Sequence, residues 1–241
     1  MNYVAILAYD GCSYFGWQKT KEGPSIEEAL ERVLEQIFQH PIALQAASRT
    51  DRGVHAEGQV VNWTSPKIID CERLVISINQ LLPGSIRLLS LAIKDDTFHP
   101  TLDNSGKHYL YSISTGEVQL PSKRLTHWHI REPLDIKAMQ DAAKSLIGTQ
   151  DFKPFCNFRK NLRYESTVCT ITNCTVEQLD NELIINMIGD RFLYKMARNI
   201  AGSLVYVGLK KLKSLFAQSR PELGITAPAH GLCLKKVFCE K

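Results

Sequence analysis

The sequence lacks the patterns that announce most cofactor chemistry. It has no GxxxxGK[ST] or GxGxxG for a nucleotide phosphate, no HExxH for zinc proteolysis and no GxSxG for a serine esterase. Its seven Cys are odd in number and form no CxxC pair, and no Cys/His set shows zinc-ligand spacing. His127 and His129 in "HWHI" alternate as strand residues do and read as half-buried strand histidines rather than ligands. No apolar run reaches membrane-spanning length. The start, "MNYVAILAYDG", has neither the basic residues nor the long apolar stretch of a secretory leader. Together these absences imply a cytoplasmic chain with reduced thiols, no metal, no nucleotide cofactor and no membrane contact. Charge is modest as well. Twenty-nine Lys and Arg against 25 Asp and Glu leave +4 with neutral His, which permits an acidic partner without the charge density of a nucleic-acid tail.

What is present is a chain of 241 residues, 44% hydrophobic, enough to bury a substantial core in one large domain or two modest ones. The first half alternates between periods of two and of 3.6. Residues 2–10 read as a strand, 24–40 as a helix opened by Pro24 and Ser25, with Ile26, Leu30, Val33, Leu34 and Ile37 on one face. Strands at 42–48 and 58–65, a helix at 71–83 stopped by Pro83 and a strand at 86–95 complete a βαββαβ order. The second half repeats the theme loosely. It offers strands at 107–115 and 231–239, a helix at 135–148, a hairpin of 166–179 and 182–189 around Asp180-Asn181, and a long helix at 190–208 capped by Asp190. The turn-rich "TLDNSG" (101–106) divides the chain into 1–104 and 105–241. The expected class is α+β, two ferredoxin-like domains with antiparallel sheets and a cleft between them.

One stretch is unusual for a strand end. "ASRTDRGVHAEG" (47–58) places Asp51 between Arg49 and Arg52, where Gly, Asn or Pro is the common choice. Taken alone it reads as a hairpin corner with a surface ion pair, which is worth little. The density of polar groups argues for more: flanking guanidiniums favour an ionised carboxylate, better suited to nucleophilic than to general-acid work. Ordinary glycoside hydrolysis asks for two cooperating carboxylates, and only one lies inside the motif.

Basic residues gather in three other places. Arg191, Lys195 and Arg198 fall at i, i+4 and i+7 of the 190–208 helix, either as a solvated stripe or as a face that meets phosphates or Asp51. "FCNFRKNLRY" (155–164) interleaves Arg159, Lys160 and Arg163 with Phe158 and Tyr164, the best RNA-contact candidate; "SKR" (122–124) and "KKLK" (210–213) read as soluble surface. Tyr14, Phe15 and Trp17 of "YDGCSYFGWQK" (9–19) are equally consistent with core and with a stacking surface.

Assembled, these segments resemble the TruA-type tRNA pseudouridine synthases over nearly the whole chain. The resemblance rests on "YDGCSYFGWQ", "SRTDRGVHA", "KHYLY", "GTQDFKPF", "FLYKMARN" and "APAHGLCL", six motifs in the family's order. It implies a pseudouridine synthase fold around a central basic cleft, a homodimer, tRNA as partner and no cofactor. The implied reaction turns uridine into pseudouridine in the anticodon stem-loop. By the same resemblance Asp51 is the catalytic carboxylate, acting at the sugar or the base. Arg49 helps displace the target nucleotide and fills its place, Tyr109 is a second catalytic residue that stacks on the base and helps move a proton, and Arg198 is a third that holds the Asp51 carboxylate. The substrate contacts are then Arg49 and Tyr109 by the resemblance, joined by Arg159, Lys160 and Arg163 of the basic stretch. Three positions depart from the pattern: Ser48 for the usual Gly, Arg52 for a small residue or Lys, and Arg191 for a small residue. If the backbone at 48 needs a positive φ, Ser is costly there. Two other classes fit the bare residues. A tandem ferredoxin-like RNA-binding protein without catalysis would bind tRNA and leave its uridines alone, and a glycosidase or nuclease using Asp51 would cleave its substrate.

Overall fold

The computed structural model describes residues 1–157, 164–215 and 219–239. The first half contains β1 (Asn2–Tyr9), α1 (Ile26–Phe38), β2 (Gln45–Ala46), β3 (His55–Thr64), α2 (Cys71–Leu81) and β4 (Ile86–Lys94). The second contains β5 (Asn104–Thr115), β6 (Trp128–Ile130), α3 (Ile136–Lys144), β7 (Gly148–Asp151), β8 (Val168–Leu179), β9 (Glu182–Gly189), α4 (Met196–Gly208) and β10 (Leu232–Cys239). The chain forms two compact units, one of Met1–Ser105 with Cys233–Lys241, the other of Gly106–Leu232. A division at 104/105 keeps the last strand with the second half. In the structure β10 instead joins the first unit, where Cys233 pairs in parallel with His55 and Leu234 with Ala56.

In the first unit β1 lies between β3 and β4, antiparallel to both, with Ala5 opposite Val61 and Leu91. The far edge of β3 carries β2 and β10, which gives the 4-1-3-2 order of a ferredoxin-like sheet. The helix face of α1 follows its period. Ile26, Leu30, Val33, Leu34 and Phe38 are buried, and the Ser25 hydroxyl accepts from Glu28 N–H to cap the first turn. Phe38 meets Tyr3 and Trp63, whose rings stack 5.5 Å apart, so helix and sheet share one aromatic core. Strand β2 is far shorter than the 42–48 segment predicts, because Ile42 and Leu44 are buried outside any ladder.

The second unit orders its strands β5-β9-β8-β7, all antiparallel, with β6 added in parallel to β5. Helix α3 is capped by Asp135, whose carboxylate accepts from Ala138 N–H. Asp180 turns the β8–β9 hairpin at φ 51°, the left-handed conformation expected at such a turn.

The 190–208 helix begins later than its periodicity predicts. Lys195 is left-handed at φ 61°, and α4 starts only at Met196. The preceding amides find partners outside a helix: Asp190 Oδ1 accepts from Arg191 and Thr170 N–H, and Tyr194 N–H donates to the Tyr164 hydroxyl. Asp190 is therefore not a helix cap. Arg191 lies outside the helix and donates to the carbonyls of Ser166 and Val168, so the basic stripe through Arg191, Lys195 and Arg198 does not form.

Fully buried Asn199 anchors α4 to its surroundings. Its amide nitrogen donates to Phe155 O and Asn157 Oδ1, and its oxygen accepts from Arg220 and Thr226. Asn199→Ala strips four partners at once. Each buried polar group left unpaired costs roughly 1–3 kcal/mol, so the variant should lose about 3 kcal/mol or more of stability. Urea titration followed by circular dichroism reads this, and an unmoved midpoint contradicts the hub.

Candidate active site

The segment 47–54 connects β2 to β3 and is held at several backbone groups. Ala47 N–H donates to Val60 O, and Val54 N–H closes the turn on Asp51 O. Gln59 of β3, with no exposed surface, grips Ser48 twice: its Nε2 donates to Ser48 O at 2.6 Å and its Oε1 accepts from Ser48 N–H at 3.2 Å. Thr50 is pinned at both ends, its hydroxyl 2.8 Å from the Tyr9 hydroxyl and its carbonyl accepting from Trp17 N–H at 3.0 Å. Gln59 Nε2 also reaches the Tyr9 hydroxyl at 3.4 Å. Ser48 and Thr50 are thus locked, while Arg49 is exposed and Asp51 half-buried.

The lock needs close backbone approach. A Cβ on Gly16, itself at φ 101°, would fall 2.7 Å from Thr50 O, and one on Gly11 would overlap the Val54 carbonyl. This is the structural use of "YDGCSYFGWQ". Tyr14 and Trp17 are buried, so these two aromatics are core. Phe15 differs: the Arg52 guanidinium lies 4.0 Å above its ring. Ser48 is not among the residues with positive φ, so the change from Gly carries no strain, and Gly53 takes the left-handed position at φ 81°.

The other candidates belong to the second unit. Tyr109 pairs with Met187 across β5 and β9, is 6% exposed, and meets Phe192 edge to face at 4.9 Å. Arg198 projects from α4, with Nε donating to Ala227 O at 2.8 Å while Ala227 N–H donates to Arg198 O at 3.1 Å. The "APAHGL" segment therefore clamps this arginine. It also holds Tyr111, whose hydroxyl donates to Pro228 O and whose ring packs on Gly231. Burial pushes the Tyr111 phenol well above the usual range, and the Arg198 charge acts against that shift. Arg159, Lys160 and Arg163 lie outside the described residues, as does Phe158.

Sequence reasoning passed over Gln59, Tyr9 and Tyr111. Only their place inside motifs signals them, since each acts on residues distant along the chain. It also passed over a cluster of three titratable groups. Asp10, Cys12 and His55 bring one oxygen, one sulfur and one nitrogen within 4.8 Å of one another, drawn from two motifs more than forty residues apart. The set does not fit one cation: Gly11 N–H donates to His55 Nδ1, the Asp10 oxygen stands at that same nitrogen, and the Cys12 sulfur stands at the other.

The first unit thus presents a pinned carboxylate loop, and the second presents a strand tyrosine and a helix arginine held by the segment that follows α4. The profile of the tRNA pseudouridine synthase family matches residues 5–100 and 142–238. A tRNA pseudouridine synthase A 2 of Protochlamydia amoebophila is 48% identical over 240 residues, covering 96% of this chain and 92% of that protein. A tRNA pseudouridine synthase A of a Thermoanaerobacter species is 36% identical over 243 residues, covering 98% and 99%. The Myxococcus xanthus protein of the same name is 36% identical over 239 residues, covering 96% and 89%. The chain belongs to the tRNA pseudouridine synthase family.

Gln59→Leu should keep the fold but release Ser48, and with it the placement of Asp51. A misplacement near 1 Å costs ~10²-fold in rate, so kcat should fall by that order while KM changes little. Tyr9→Phe combined with Gln59→Leu should lose less than the two separate losses added, because both act on one network. Steady-state kinetics of the three variants checks this, and strict additivity argues against a shared clamp.

Proposed function

We propose that Asp51 is the carboxylate with which this tRNA pseudouridine synthase works, and that its target uridine lies in the anticodon stem-loop. The reaction of the family is isomerisation of uridine to pseudouridine in tRNA. The N1–C1′ bond breaks, the base turns, C5 bonds to C1′, C5 gives up its proton and N1 gains one. Atoms and electrons balance without an oxidant, so the work for the protein is to hold the base, assist bond cleavage and keep the fragment in place.

The observation that carries the assignment is the double lock on Ser48 and Thr50 around a half-buried Asp51. A carboxylate whose backbone is fixed on both sides reaches the sugar or the base without reorganising. Arg49, which is exposed, is proposed to occupy the space of a displaced nucleotide. Tyr109 presents a ring braced by Phe192 for stacking on the base, and Arg198, held by Ala227, is the cation proposed to pair with Asp51. In this reading residues 1–104 carry the catalytic loop, and the following part carries the tyrosine strand and arginine helix. The family resemblance supports a homodimer, and seven free thiols suit the cytoplasm. No helix among the described residues is long and apolar enough to cross a membrane.

Asp51→Asn keeps the side-chain shape and removes the nucleophile. With tRNA tritiated at uridine C5, label release should vanish while tRNA affinity stays near that of the parent protein. Turnover close to the parent rate contradicts the role of Asp51. A cleaved RNA product would instead point to hydrolysis.

Arg159, Lys160 and Arg163 are proposed to grip phosphates. Each phosphate neutralised contributes about −0.7 to −0.9 to the slope of log K against log salt. Replacing all three with Ala should flatten that slope by roughly 2–3 units. Saturating single-turnover rates should be preserved. An unchanged slope with a collapsed rate would place the stretch in the chemistry instead.

A further inference from the structure

Arg52 departs from the family pattern and has no part in the site described so far, yet its side chain is held in place beside the Asp51 carboxylate loop. It follows Asp51 directly, in the segment whose backbone is fixed at Ser48, Thr50 and Val54. It is exposed, and its guanidinium carbon lies 4.0 Å from the centroid of the Phe15 ring. Phe15 does not depend on Arg52 for its own position. Its N–H donates to Pro24 O at 2.8 Å, and its ring lies against the backbone of Gly23, where a Cβ would fall 2.4 Å from Phe15 Cε2. Gly23 has no positive φ, so glycine serves there to make room for the ring rather than to turn the chain. The residues after Phe15 tie the ring to the loop: Gly16 O accepts from Ile26 N–H, and Trp17 N–H donates to Thr50 O. The order of dependence runs from Gly23 to Phe15 to Arg52.

An exposed cation–π contact stabilises a fold little by itself. Its effect here is to take freedom from a long side chain, so that the guanidinium is placed before a ligand arrives. The ring covers one face of the guanidinium, whose five N–H donors lie in its plane. Among the described residues the Arg52 side chain makes no hydrogen bond and no ion pair with the protein. A charged planar fork, held still and open to solvent, matches the two unesterified oxygens of a phosphodiester, which accept two parallel N–H bonds.

We propose that Arg52, braced by Phe15, binds one phosphodiester of the tRNA backbone next to the uridine on which Asp51 acts. The contact positions the RNA and reads no base. It rests on the reading of Asp51 only for where along the RNA the phosphate lies. A small residue at 52 would lack the grip, and Lys would keep the charge without the fork.

The test measures tRNA binding by the full chain across a salt series. It then uses a synthetic stem-loop carrying the modified uridine, with one uncharged methylphosphonate linkage at each nearby position in turn. Arg52→Gln should flatten the slope of log K against log salt by about 0.7–0.9, the contribution of one phosphate. Arg52→Lys should keep the slope and lose affinity. Phe15→Leu should also keep the slope, since the charge stays, and weaken binding by about 2–5-fold through the lost cation–π contact. At one linkage the methylphosphonate should weaken binding by the parent protein and leave Arg52→Gln indifferent. An unchanged slope in Arg52→Gln overturns the proposal. So does a methylphosphonate penalty that Arg52→Gln shares at every position, which marks diffuse charge instead of a contact. Circular dichroism matching the parent shows that the variants are folded, so a flattened slope cannot be ascribed to unfolding. Every readout is of binding, so failure of the Asp51 assignment in the label-release experiment would leave these outcomes standing.

Discussion

The first unit depends on the contact of two backbones at Gly16 and Thr50. Trp17 N–H reaches Thr50 O only because Gly16 carries no side chain there, and Gly11 allows the same approach at Val54. Once those segments touch, the rest follows from polar satisfaction. Thr50 sits 7% exposed with a hydroxyl that must find a partner, and Tyr9 supplies it. Gln59 cannot be buried without using its amide, and the Ser48 peptide is what it meets. Each bond offsets the desolvation of the group that makes it, so the loop acquires one conformation rather than an ensemble. Asp51 then stands on a fixed base.

The second unit solves a similar problem with a helix. Helix α4 buries almost every residue, including Asn199 and Ser203, whose side chains reach partners beyond the helix. Ser203 Oγ donates to Leu223 O, and Asn199 ties in Phe155, Asn157, Arg220 and Thr226. Arg220 spreads its donors over Asn157, Asn199, Gly224 and Thr226, and burial lowers its affinity for the proton. The segment 219–228 is thereby fixed against α4 before Ala227 grips Arg198. The arginine is oriented by packing several residues away, which restrains a long flexible side chain.

Elements whose stability is local were legible in the sequence. The stripe of α1, its Ser25 cap and the Asp180-Asn181 hairpin each follow from periodicity or turn chemistry within a few residues. Elements whose stability is not local were misplaced. The start of α4 moved from Asp190 to Met196 because Thr170 and Tyr164, distant in sequence, compete for the groups a helix would use. β10 lies with the first unit because its partners, His55 and Ala56, are nearly 180 residues away. The site divides in the same way. Asp51, Tyr109 and Arg198 stand inside motifs and are readable as candidates. Gln59 looks like any polar strand residue until its contact with Ser48 is seen.

The departures from the family pattern fall where the structure uses backbone rather than side chain. At position 48 Gln59 binds the peptide N–H and C=O, and φ is not positive, so Ser serves as well as Gly. At 52 the side chain points to solvent and finds Phe15, which leaves the turn hydrogen bond from Val54 to Asp51 untouched. At 191 the long side chain gains a use: its guanidinium satisfies the carbonyls of Ser166 and Val168 at the entry to β8, which a small residue leaves to water. Gly11 and Gly16 have no such freedom, since any Cβ meets a backbone atom that cannot move without dragging the Asp51 loop. Tolerance along these motifs is therefore set by which atoms are gripped. Chemically large changes at 48, 52 and 191 leave the Asp51 loop where it is, whereas one methyl group at 11 or 16 displaces it.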